Sequence, residues 1–267
     1  MSSRLTILGS GSSGGVPRLG NDWGACDPEN PKNRRLRCSA LVERWGGKKG
    51  GHTAVLIDSG PDVREQLLAM RVAALDGVVY THDHADHTHG IDDLRVICYR
   101  MRKRIDAWAD AATQETLLAR FGYCFESPPG RSYPPILNPH LIDPQRAFSV
   151  NGDGGAVELQ PIVQDHGEIA SLGFRIGDVA YSPDISGLSE ESITKLQGLD
   201  VWIVDSLRYI PHPSHFTVKQ ALEWIERIAP KRAILTHLHV DLDYDTLRRE
   251  LPAHVEPAYD GMQISFD

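Results

Sequence analysis

A chain of 267 residues that is 41% hydrophobic and 24% charged, with 24 glycines, has the composition of an ordinary globular protein, which excludes a disordered or fibrous one. Its length is near the upper limit for one hydrophobic core, so a single domain over 1–267 is expected. A net charge of −8 excludes a whole-surface electrostatic footprint for nucleic acid, so an anionic substrate must be gripped locally.

LTILG at 5–9 is the first β-rich run and leads into Gly9, Gly11 and Gly14, which satisfy G-x-G-x-x-G. The next stretch, GVPRLGNDWGACDPENPKN, has no 3.6-residue period, so the helix that would hold a pyrophosphate is missing. A turn or a substrate-edge loop is expected there instead. MSSRLTILGSG has too short an apolar segment for a secretory signal, and no run approaches the ~18 residues of a membrane span, which predicts a cytoplasmic protein. AVLIDSG at 54–60 and GVVYTH at 77–82 read as strands, with helices over 61–71, opened by Pro61, and over 92–104 and 113–121. Residues 126–152 are rich in proline and aperiodic, which predicts a long surface loop. VELQPIV at 157–163, FRIGDVAYSPD at 174–184, VWIVDS at 201–206 and AILTHLH at 233–239 complete the β-rich runs. Between them lie helices over 189–197 and 217–229, the second opened by a Thr217/Gln220 capping box. Some strands come directly one after another while others alternate with helices, which predicts an α/β protein of mixed sheets flanked by helices. Cys26, Cys38, Cys98 and Cys124 form no CxxC pair and read as reduced structural thiols.

The stretch YTHDHADHTHG puts His82, His84, His87 and His89 with Asp83 and Asp86 into eight consecutive positions. Four clustered histidines also suit a solvated or acid-sensing tract. Placement favours a metal site, because the buried run VVY ends here and emerges into a loop, the usual position for a site in an α/β protein. Imidazoles with a carboxylate suit zinc, manganese or iron, and the uneven spacing suits two adjacent ions better than one.

HDHADH resembles the H-x-H-x-D-H signature of the metallo-β-lactamase superfamily, and the other ligands of that superfamily have matches in order: His166 in QDHG, Asp184 in YSPD and His237 in ILTHLH. The resemblance implies an αββα sandwich of two mixed sheets flanked by helices. It also implies two divalent metal ions per chain, zinc or manganese, one held by His82, His84 and His166, the other by Asp86, His87 and His237, with Asp184 shared. Asp58 in LIDSG matches the structural aspartate that orients ligands, and His89 has no counterpart.

An acidic residue at 184 rather than a cysteine resembles the phosphodiesterase and thioesterase branches. LGSGSSGGVPR, NPKNRRLR and HPSHFTVKQAL are similar to the PhnP-like phosphoribosyl 1,2-cyclic phosphate phosphodiesterases, with tRNA 3′-processing nucleases more distant. This implies a metal-dependent hydrolase that opens a small, cyclic ribose- or nucleotide-type phosphodiester to a phosphomonoester through attack by a metal-activated water. His215 of SHFT matches the family's leaving-group histidine, with Asp86 counted as both ligand and catalytic group and His212 as a weaker candidate. A nucleoside monophosphate is the expected product-like ligand; neither a membrane nor a large nucleic acid is an expected partner, and a homodimer is implied. The basic runs at 34–37 and 100–104 are candidates for substrate phosphate or for a solvated face. The family's separate structural zinc has only Cys26 left of its cysteine cluster, and Val240 stands at its distal histidine position, so a third ion is not expected. A thioesterase or lactonase using the same metals, a tRNA-processing-like nuclease and a non-catalytic metal-binding module are the rival readings.

Overall fold

The computed structural model describes residues 2–47, 50–127, 130 and 132–267. The first half of the chain forms β1 (Ser2–Gly9), β2 (Ser39–Gly46), β3 (Gly51–Ile57), α1 (Val63–Ala69), β4 (Gly77–Val79), α2 (Ala85–Thr88), α3 (Leu94–Met101), β5 (Ile105–Ala109), α4 (Ala111–Phe125) and β6 (Leu137–Leu141). The second half continues with β7 (Phe148–Val150), β8 (Val157–His166), β9 (Ile169–Ile176), β10 (Val179–Ser182), β11 (Gly187–Leu188), α5 (Glu190–Lys195) and β12 (Val201–Asp205). It ends with α6 (Val218–Ile228), β13 (Arg232–Thr236), α7 (Tyr244–Glu250), β14 (Val255–Pro257) and β15 (Gln263–Phe266).

One sheet has the order β15-β1-β2-β3-β4-β5-β6; the other has β11-β8-β9-β10-β12-β13-β14, with β7 added against β8. Both are mixed: β3 to β6 pair in parallel, as do β10, β12, β13 and β14, while the remaining pairs are antiparallel. Side chains alternate along a strand, so each sheet feeds two cores. Val55 and Ile57 of β3 meet Phe174, Tyr181, Val201 and Ile203 in a core between the sheets. The alternate residues Leu56 and Val78 pack under Val63, Leu67, Leu94 and Ile97 of α1 and α3. Trp202 and Val204 likewise pack under Ile193, Ala221, Ile225 and Leu247 of α5, α6 and α7. The outcome is the αββα layering implied by the resemblance.

The box at α6 is formed as expected: Gln220 N–H donates to Thr217 Oγ1 at 3.1 Å, and Thr217 N–H donates to Gln220 Oε1 at 3.0 Å. Several other expectations are corrected. The helix expected to open at Pro61 begins at Val63, with Asp62 as its N-cap. The helix expected over 92–104 stops at Met101, where Arg102 turns left-handed at φ 54°, and the chain enters β5. The run 174–184 is two strands, because Gly177 at φ 58° folds β9 back on β10. The supposed loop 126–152 contains β6 and β7; residues 128, 129 and 131 of it lie outside the described residues. Pro139 hid β6, yet β6 is an edge strand, where a missing N–H costs no ladder bond on its open side. Gly9 serves neither a nucleotide nor a helix: a Cβ there would stand 2.0 Å from the carbonyl oxygen of Arg37, so two backbones cross at that point. No described helix is long and apolar enough to cross a membrane.

Candidate metal centre

The histidine-rich loop is set by its neighbours before any ion is considered. Asp58 comes directly after β3 in the left-handed region at φ 62°, a conformation costing on the order of 1–3 kcal/mol for a non-glycine residue. Its carboxylate accepts from Thr81 N–H and Thr81 Oγ1, each at 2.8 Å, and from His87 Nδ1–H at 2.7 Å. Ser59 N–H donates to His87 O at 2.8 Å, and Gly90 N–H returns to Ser59 O at 2.8 Å. Gly60 is required by this closeness, since a Cβ on it would lie 1.9 Å from the carbonyl oxygen of Asp86. Gly60→Ala is therefore expected to displace the Asp86–His87 segment, costing about 1–3 kcal/mol of stability and about 10- to 100-fold in metal affinity. Thermal unfolding with and without chelator measures both; a variant that melts and titrates like the parent contradicts this account.

From the other sheet, His166 ends β8, Asp184 lies just past β10, Asp205 ends β12 and His237 lies just past β13 at φ 58°. The carboxyl ends of parallel strands in both sheets thus open on one rim. Three groups of donors converge there with ligand atoms within 4.8 Å of one another: His82, His84, His166 and Asp184; Asp86, His87 and His237; and Asp184, His215 and His237. Asp184 Oδ1 is 3.1 Å from His87 Nε2, and Oδ2 is 3.5 Å from His166 Nε2, 3.6 Å from His237 Nε2 and 3.8 Å from His82 Nε2. Asp86 Oδ2 lies 3.5 Å from His87 Nε2 and 3.9 Å from His237 Nε2. His84, at the exposed mouth, has Nδ1 3.2 Å from His166 Nε2.

Outer hydrogen bonds decide which ring nitrogen faces inward. The Thr81 hydroxyl donates to Asp58, so its oxygen is left to accept from His82 Nδ1–H at 2.9 Å. His166 Nδ1–H donates to Ser214 O at 2.7 Å, and His215 Nδ1–H to Asp205 Oδ2 at 2.7 Å. With Nδ1 protonated in His82, His166 and His215, each neutral ring presents a lone pair on Nε2; burial lowers the basicity of His87, but Asp184, Asp86 and Asp58 raise it more, so its Nε2 would present a lone pair when a cation displaces that proton. Among the described residues, His82 Nε2, His87 Nε2, His237 Nε2 and Asp184 Oδ1 are buried without a hydrogen-bond partner. Orphaned buried acceptors facing one another are costly unless a cation satisfies them, so the donor set fits divalent metal. Burial also favours the neutral ligand form: it holds His82 well below the ordinary imidazole value and His166 at about 4. Burial opposes ionisation of Asp184, but His237, His87 and His82 outweigh it and hold that carboxyl well below its usual range.

Asp205 was not singled out in the sequence. It is fully buried, orients His215, and ends a strand as Asp184 nearly does, which is the only local signal it gives. Burial pushes its carboxyl well up and the His215 imidazole down. His215 also stacks on His237 with centroids 4.4 Å apart. His89 is exposed; its ring meets the edge of Phe121 with centroids 5.3 Å apart, and its Nδ1 lies 3.3 Å from the Thr88 hydroxyl.

The basic runs fare differently from their charge count. Arg35 is 1% exposed and donates to Leu242 O at 2.7 Å, while Arg37 pairs with Asp62 at 2.7 Å, leaving Arg34 the exposed cation of that run. Residues 100–104 precede β5, which runs parallel to β4, so they sit at the end of the sheet opposite His82. Cys26 is buried against Val16 and Val240, and its Sγ lies 3.7 Å from the Arg35 guanidinium, so a cation already adjoins the one thiol left there.

A family model described as the beta-lactamase superfamily domain matches residues 53–238. A diphosphatase from the PhnP family superposes with a TM-score of 0.87 at 34% identity, covering 100% of this chain and 98% of that one. Human tRNase Z, short form, shares the fold with a TM-score of 0.62 at 18% identity, over 98% of each chain. An octanoyltransferase of Porphyromonas gingivalis is 34% identical over 99% of this chain but only 52% of its own length, so the chain spans about half of that relative.

Proposed function

Because this chain belongs to the beta-lactamase superfamily, whose model covers residues 53–238, and is PhnP-like within it, we propose that it is a dinuclear metal-dependent phosphodiesterase acting on a small cyclic or ribose-linked phosphodiester. The observation that carries this reading is the Asp205–His215 pair, held beside Asp184 with His215 Nε2 3.9 Å from Asp184 Oδ2. Acyl transfer to water with a thiolate leaving group needs no proton donor, whereas expulsion of a ribose alkoxide does.

In this reading His82, His84 and His166 hold one divalent ion, Asp86, His87 and His237 a second, and Asp184 both. The ions, zinc or manganese, would supply acidified water and neutralise charge on the phosphoryl oxygens. Asp58 and Thr81 keep His87 and His82 in the ligand tautomer. Water that had given up one proton to solvent would attack phosphorus, the bond from phosphorus to the ribose oxygen would break, and His215, having taken up a proton on Nε2 as the imidazolium, would pass it to that oxygen while Asp205 keeps the ring turned. The product is a phosphomonoester, so a nucleoside monophosphate is a product-like ligand. We place this protein in the cytoplasm as one hydrolase domain that pairs as a homodimer.

A second reading, cleavage of a diphosphate linkage, is favoured by the 34% identical PhnP-family diphosphatase. The metal-loaded protein is to be assayed on a 2′,3′-cyclic nucleotide, bis-p-nitrophenyl phosphate, a diphosphate diester, p-nitrophenyl phosphate, nitrocefin and an octanoyl thioester. Turnover is expected on the first two at least about 100-fold above the monoester and acyl substrates. A preference for the diphosphate installs the second reading, and a preference for the thioester removes both. Elemental analysis should give two ions per chain; three, with one lost in Cys26→Ala, contradicts the assignment.

A further inference from the structure

His237 differs from the other histidine donors in how its ring is held. Neither of its ring nitrogens has a hydrogen-bond partner among the described residues, and Nδ1 stands 3.8 Å from Asp205 Oδ1, beyond hydrogen-bond reach. His82, His87 and His166 are each turned by an oxygen on Nδ1. Apart from the stacked face of His215, the direction of the His237 ring is therefore set by its backbone. That backbone lies in the left-handed region at φ 58°, which a non-glycine residue keeps only where its neighbours impose it.

Both peptides that flank His237 are held. On one side Ser206 N–H donates to Thr236 O at 2.9 Å. On the other, Leu238 N–H donates to Ser10 O at 2.8 Å and Leu238 O accepts from Ser12 N–H at 3.3 Å, so the glycine-rich turn after β1 is the brace. Asp260, just before β15, fixes that turn in place. Its Oδ1 accepts from Ser10 N–H at 2.9 Å and from the Ser10 hydroxyl at 2.8 Å, and its Oδ2 accepts from Leu36 N–H at 2.7 Å. Gly11 N–H closes the link by donating to Leu36 O at 2.8 Å. A Cβ on Gly11 would lie 2.9 Å from Arg35 Cβ and 3.0 Å from Leu36 O, so a larger residue would push the two segments apart. The turn that carries Asp260 is seated by Gly261 N–H, which donates to Ile7 O at 2.8 Å.

We propose that Asp260 is a positioning residue for metal binding: through Ser10 and Leu238 it fixes the left-handed backbone of His237 and so aims that imidazole at the second ion. This deepens the two-ion reading and rests on it for which ion His237 serves. The glycine run at 9–14 then braces a metal donor instead of cradling the nucleotide that its spacing suggests.

Titration of the zinc-loaded protein with a chromophoric chelator measures the affinity of each ion without requiring turnover. The parent is expected to release two ions in two steps, and His237→Ala marks the step that depends on that ring. Asp260→Ala should weaken the same step about 10- to 100-fold while the other step stays within about twofold of the parent. Asp260→Asn should fall between, because its amide oxygen still accepts from Ser10 while its NH2 group faces Leu36 N–H; it also decides the matter where Asp260→Ala does not fold. Equal weakening of both ions, or a lower melting temperature with both affinities intact, overturns the proposal, since Asp260 then braces only the fold. A parent that releases a single ion overturns the two-ion reading instead. In that case the role of Asp260 stands if Asp260→Ala and His237→Ala both weaken that ion, and falls if only His237→Ala does.

Discussion

Asp184→Ala should lose turnover by about 10³-fold or more and lose bound metal with it. The carboxylate stands within 3.1 to 3.8 Å of Nε2 on His87, His166, His237 and His82, so it is the anionic group common to both donor sets. Without it, two divalent cations would face each other through neutral imidazoles, and only Asp86 would offset their repulsion. Asp184 is also 1% exposed, so water cannot replace it freely. Asp83→Ala is the control. That side chain points to Arg120, 3.5 Å away, in a pair whose arginine is 46% and aspartate 27% exposed, worth about 0–1 kcal/mol. Metal content by elemental analysis and turnover on bis-p-nitrophenyl phosphate are to be measured for both. Equal losses in the two variants would show that the donors are misassigned.

His215→Ala should cut turnover by ~10²–10⁴ on a 2′,3′-cyclic phosphate while both ions stay bound. The ring has one nitrogen committed to Asp205 at 2.7 Å, and its other faces the donor cluster. A p-nitrophenolate leaves without a proton and a ribose alkoxide does not, so the defect on bis-p-nitrophenyl phosphate should be much smaller. Asp205→Asn should reproduce this substrate dependence, because it removes the negative charge that stabilises the imidazolium and can turn an N–H toward Nδ1, while keeping the shape of the side chain. The same loss on both substrates would make His215 a positioning residue, and no loss on either would reduce it to a loop contact. Metal content must be tracked throughout, since His215 also belongs to a donor group with Asp184 and His237.

The sequence by itself determined the kind of donors and their rough places. His82, His84, Asp86 and His87 fall within six consecutive positions, and a strand emerging into a loop needs no distant information to be recognised. His166, Asp184 and His237 were legible through the order of ligands that the resemblance implies, because a lone histidine or aspartate at a strand end reads equally as an ordinary loop cap. Mixed sheets flanked by helices were legible from the order of strand and helix runs, and the four layers followed from the resemblance; the structure adds the two-sided burial of β3 and β12 that such a sandwich needs. Strands β5, β6 and β7 were not, because an edge strand holding Pro139 and a three-residue strand owe their existence to a neighbour rather than to their own pattern.

Only the tertiary structure decided how charge is used. RRLR looks like one phosphate grip, yet folding buries Arg35 under backbone carbonyls and pairs Arg37 with Asp62, while the isolated Arg208 is anchored on the carbonyls of Ile210 and Pro211 and pairs with no carboxylate among the described residues. Asp205 and Asp58 have no spacing rule that links them to His215 and His87, their partners 10 and 29 residues away. The tautomer of each histidine depends on which acceptor reaches its outer nitrogen: the adjacent Thr81 for His82, but residues of other loops and strand ends, Asp58, Ser214 and Asp205, for His87, His166 and His215. Burial and hydrogen-bond partnership are properties of the packed whole, because the cost of a charge depends on the solvent and partners around it, and residues far apart in the chain supply both.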